Sequence, residues 1–140
     1  MGMGVATNRS SRSARPATAL VWSRYLAVLF ASGLGIGEAV INWGHWQYAP
    51  LWIIDYVIVA WLLWAVVSTR AGQRIHLLLA AWAFTSGVFY MALFVSLDPQ
   101  VGPVVNPVLL SLIGVMFAAS VTGFLLALLT IPAQRVDPVS

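Results

Sequence analysis

The chain has 140 residues, of which 61% are hydrophobic and only 8% charged. A soluble domain carries about 25% charged residues, so this chain cannot cover a water-facing surface, and its length allows one domain. There is no Cys, which excludes disulfides, thiolate metal sites and dithiol redox chemistry. The net charge of +3 rests on Arg without any Lys, and the placement of these arginines suits membrane topology rather than nucleic acid.

Residues 1–18 are polar and small, with Arg9, Arg12 and Arg15, no acid and no apolar periodicity. They are expected to form a disordered cytoplasmic tail. A four-span transmembrane domain is expected over residues 19–132, with spans at about 20–41, 50–68, 75–97 and 107–131, followed by a short cytoplasmic tail over 133–140. In the first span Arg24 can reach back to the interface. The competing reading of that segment is a cleaved signal peptide, but its apolar stretch is long for one.

The second span starts at Pro50, a favoured first helical position, and runs through LWIIDYVIVAWLLWAVV. The turn-like TRAGQR leads to the third span, which Asp98-Pro99 closes. Asn106-Pro107 reads as an N-cap with proline in the first turn of the fourth.

Orientation follows from the arginines. Arg9, Arg12, Arg15 and Arg24 belong to the start of the chain, Arg70 and Arg74 to the link between spans two and three, and Arg135 to the end. The other two loops hold none, so both termini are assigned to the cytoplasm. The expected fold is all-α: an integral membrane four-helix bundle, N-in/C-in. Arg without Lys, and few Asn, also accompany a GC-rich bacterial gene, so a bacterial inner membrane is the expected location.

Small residues mark candidate packing faces. The first span has Ala27, Ala31, Gly35 and Ala39, with a second row at Gly33 and Gly37. The fourth has Gly114, Ala118 and Thr122, and beside them Ala119, Gly123 and Ala127. Such spacing lets helix backbones approach closely in lipid. Helices one and four are expected to pack together, or one of these faces to dock another subunit.

Two carboxylates inside the spans are the candidate functional residues. Glu38 lies about 6 Å below the outer end of its helix and Asp55 about 7–8 Å below the outer end of the next, so they share a depth. A carboxylate on a membrane helix costs about 2.5–3.5 kcal/mol near the centre, and such residues usually have a role. A hydrogen bond from Glu38 to Asp55 is expected. Asp55 is placed opposite Trp64 and away from Trp61, whose bulk suits lipid.

Asn42 and His45 follow Glu38 at i+4 and i+7, on its face if the helix persists past Gly44. Tyr90 and Ser111 reach a similar depth on helices three and four. The loop NWGHWQYAP contributes aromatics suited to an interface.

Three functions fit these residues. The first is an accessory, structural or partner-binding membrane subunit, whose partner is another membrane protein or a second copy. The second is a small proton- or cation-coupled transporter or channel using Glu38 and Asp55, because buried carboxylates are the usual means of proton coupling. The third is a metal or redox site on Glu38, Asp55 and His45, ligand types that suit zinc, manganese or iron. Against the third, the helical EXXH and HXXXH spacings are missing. No catalytic motif appears and no cofactor is expected. Four spans with a Glu in the first is also the pattern of small multidrug-resistance exporters. The likeness stops at Glu38, since IGEAVIN and the long basic tail do not match and Asp55 is additional.

Overall fold

The computed structural model describes residues 10–43, 49–69, 74–100 and 106–131, with side chains from 17 in the first stretch and 52 in the second. It is all-helical: α1 Ser10–Ile41, α2 Ala49–Ser68, α3 Ile75–Leu97 and α4 Pro107–Leu128. Three helices are long and apolar enough to cross a membrane, and α2 supplies a shorter apolar stretch, Trp52–Ser68. At 1.5 Å per residue that stretch covers about 25 Å, near the lower limit for a bilayer core.

The helix boundaries follow local chemistry. Asn106 caps α4, its side chain accepting from the Val108 N–H at 2.9 Å, with Pro107 in the first turn. Asp98 ends α3 and accepts from the Gln100 N–H at 2.8 Å. Arg74, just before α3, has φ 61°, a left-handed conformation that costs a non-glycine residue about 1–2 kcal/mol.

At the start of the chain the helix extends further than its composition suggests. Ser10 to Thr18 continue α1 backward from the apolar span, over residues for which disorder was expected. Elongating an existing helix fixes one residue per hydrogen bond, whereas starting one is costly, and Ala14, Ala17 and Ala19 favour elongation. Pro16 lacks the N–H that would bond the Arg12 carbonyl, so the first turns are tied on by one bond fewer.

Helix α1 packs on α2 and α4, and α3 packs on the same two. Large side chains meet between α1 and α3. Phe30 sits edge-on to Trp82 and to Phe89, both at 5.5 Å between ring centroids. Around them lie Ala27, Ala31, Ile58, Leu62, Leu78 and Ala127, all fully buried.

The outward surface is the reverse of a soluble protein's, since Leu29, Ile36, Val40 and Val108 are each about 65–75% exposed. Several hydroxyls in these apolar helices, buried or exposed, bond to their own helix. Thr85 donates to the Ala81 carbonyl, Ser96 to Ala92 and Thr122 to Ala118.

The small-residue rows divide by face. Ala27 and Ala31 are fully buried, Gly35 lies against Val59 of α2, and Ala39 is half-buried. On α4 the row Ala119, Gly123, Ala127 turns inward, while Ala118 and Thr122 are exposed and Gly114 half-buried. The reason is Trp82: a Cβ at Gly123 would lie 2.3 Å from its ring, so the tryptophan needs the glycine beneath it. Trp61, which the sequence assigns to lipid, is half-buried, with its ring 5.4 Å from that of Phe84.

Candidate functional site

Polar groups gather at two levels. One lies where α1 ends and α2 begins. The Asn42 side-chain N–H donates to the Glu38 carbonyl at 3.1 Å and also to its Oε2, while the Asn42 backbone N–H bonds the same carbonyl at 3.0 Å. One residue therefore closes α1 and holds the carboxylate. Asp55, on α2, is half-buried and near enough to Glu38 for their charges to interact. Close approach explains the pairing. Gly35, three residues before Glu38, admits Val59, four residues after Asp55, at 3.7 Å.

Among the described residues no hydrogen bond joins the two carboxyls, unlike the sequence expectation. Glu38 is taken by Asn42, its i+4 neighbour, which reaches it without crossing to another helix. Next to Asp55, Trp52 and Tyr56 stack edge to face at 5.9 Å.

Two other sequence candidates, Tyr90 and Ser111, make their described contacts elsewhere. Tyr90 is exposed and packs its ring on Phe94 at 4.5 Å and on Phe117 at 6.1 Å. Ser111 is exposed and donates to the Pro107 carbonyl at 2.8 Å. His45 lies outside the described residues. Among those described, no three His, Cys, Asp or Glu side chains gather as a metal site would require.

The second level is fully buried. Trp82 Nε1 donates to Ser23 Oγ at 3.1 Å, and that hydroxyl donates to the Gly123 carbonyl at 3.0 Å. This chain links α3, α1 and α4, so the early part of α1, the early part of α3 and the late part of α4 share a level. Arg24, next to Ser23, and Arg74, just before α3, lie toward this level, and Glu38 and Asp98, at the late ends of α1 and α3, lie away from it, with Asp55 near Glu38.

Sequence reading missed Ser23 and Trp82. A signal existed: Trp82 lies about 10 Å inside its helix, deeper than an interfacial tryptophan, and a buried indole N–H needs a partner. What the sequence could not supply was which helix would provide it.

The chain matches no known family model, no curated protein and no solved structure.

Proposed function

We propose that the protein spans the membrane four times as a helical bundle, with both termini in the cytoplasm, and serves as an accessory or partner-binding membrane subunit. Its exposed apolar side chains support embedding in lipid, and gathering the arginine-bearing ends together supports the orientation through the positive-inside rule. The observation that carries the subunit reading is the filled interior. Phe30, Trp82 and Phe89 occupy the space between the helices, and Trp82 is tied to both α1 and α4. Such packing makes a scaffold rather than a passage. On the outward side of α4, Ala118 and Thr122 leave a low-relief face suited to close helix contact.

The test is gentle extraction of the full chain from its native membrane. A stoichiometric membrane-protein partner, or a second copy, supports the reading. A lone monomer that retains its physiological effect in a reconstituted bilayer overturns it. Reporter fusions at each terminus test the topology, and activity of a cytoplasmic reporter at both ends is expected.

A second reading is favoured by Glu38 and Asp55 on adjacent helices: a one-sided proton or cation site beneath the outer surface. Ion flux in liposomes that is lost in Glu38→Gln would establish it over the first.

A further inference from the structure

We propose that Arg24 binds the phosphate of a phospholipid headgroup at the arginine-bearing end of the protein, an inference that rests on the membrane reading above. Arg24 follows Ser23 directly, and the Ser23 links to Gly123 and Trp82 fix this turn of α1 against two other helices. Eleven residues separate Arg24 from Gly35. At 100° each this leaves the two about 20° apart around the helix. Gly35 faces Val59 of α2, so Arg24 leaves α1 along the same seam, toward the C-terminal end of α2.

There the side chain is half-buried, and its Nε is closed off from solvent with no hydrogen-bond partner among the described residues. A guanidinium is always charged and offers five donors in a rigid fork, and an unmatched buried donor is costly. The described carboxylates cannot serve it. Glu38 is fourteen residues further along α1, about 21 Å away, and Asp55 and Asp98 lie at that same far end.

An anion from outside the described helices would meet the guanidinium at its Nη groups, since protein encloses Nε. Trp22 and Tyr25, on either side of Arg24 in sequence, are 62% and 65% exposed. Aromatics of this kind sit at headgroup level in a bilayer, which is where lipid phosphates lie. A phosphate presents two oxygens at the spacing of the guanidinium fork.

Phosphatidylglycerol titrated into the detergent-solubilised full-length protein, with bound lipid resolved by native mass spectrometry, tests the assignment. Arg24→Gln should weaken the first lipid bound by roughly tenfold, the scale of losing one charge-assisted pair. Arg24→Lys, which keeps the charge without the fork, should fall between and guards against a folding defect. Arg74→Gln, at the same end but on an exposed residue, should change little. Diacylglycerol, which lacks phosphate, should show no dependence on residue 24.

Equal losses in Arg24→Gln and Arg74→Gln would reduce the effect to general basic charge and overturn the site. So would lipid binding in Arg24→Gln within twofold of wild type. Displacement of the lipid by millimolar inorganic phosphate would assign the site to free phosphate instead. Alkaline washing of cell membranes separates the two levels of the argument. If the protein is released, the membrane reading fails. If it is retained while Arg24→Gln binds lipid normally, only this inference fails.

Discussion

The two ends of the molecule use polar groups in opposite ways. Toward the arginine-bearing end, Trp82, Ser23 and Gly123 form a fully buried hydrogen-bonded chain that crosses three helices. Toward the acidic end, Asn42 bonds to Glu38 within the same helix, and among the described residues no hydrogen bond joins Asp55 to Glu38. A buried polar group that joins helices holds them in one arrangement, since breaking the link leaves a donor unmatched in an apolar interior. A polar group bonded only within its own helix, or to no side chain at all, leaves the packing free of it. The first end is framework, and at the second no hydrogen bond between described side chains joins one helix to another.

The largest effects should come from breaking the framework at Trp82. Trp82→Ala removes the side chain that fills the space beside Phe30 and reaches α1 and α4, and should cost about 3–5 kcal/mol. Gly123→Ala acts from the other side. Its new methyl meets the rigid Trp82 ring at 2.3 Å, and overpacking of this kind costs about 1–3 kcal/mol. Reversible unfolding in mixed micelles measures both. Gly33→Ala supplies the control, since a Cβ there meets nothing within 4 Å. A Gly123→Ala protein as stable as Gly33→Ala would show that Trp82 does not rest on α4.

Ser23→Ala should have a smaller effect. It leaves the ring packing in place and removes only the hydroxyl between the Trp82 N–H and the Gly123 carbonyl. Interhelical hydrogen bonds in membranes average about 0.6 kcal/mol and reach about 1.7, and the upper part of that range is expected here because both partners are fully buried. A double-mutant cycle with Trp82→Phe isolates the indole link, and a coupling below about 0.3 kcal/mol would remove it from the framework.

The sequence showed the apolar helices because hydropathy over twenty residues is a property of the segment alone. The Asn106 cap and the Asp98 stop were legible for the same reason: each acts within two residues of itself. Spacing along the helices was legible too, in setting Glu38 near Asp55. Direction around the helix was not. Tyr90 and Ser111 have the right depth but are exposed, and Trp61 packs on Phe84 although nothing local distinguishes it from the exposed Trp64. In helices apolar on every side, the hydrophobic pattern does not say which face is inward. Only contact between particular side chains decides it, as when Trp82 selects the Gly123 row over the Ala118 row.

The smallest effects on stability should come from the acidic end, where the contrast is sharpest. Asp55→Asn replaces a half-buried carboxylate that lies near Glu38 and makes no hydrogen bond with any described residue. Its effect on unfolding should lie within about 0.5 kcal/mol of zero, the range of substitutions outside any framework. Glu38→Gln keeps an oxygen for the Asn42 side chain and should be nearly as mild. Loss of ion flux, or of partner recovery, in either variant while its unfolding midpoint stays unchanged would place function at this end. If Asp55→Asn instead destabilises as much as Ser23→Ala, Asp55 is part of the framework. The acidic end would then differ from the other only in which residues hold it together.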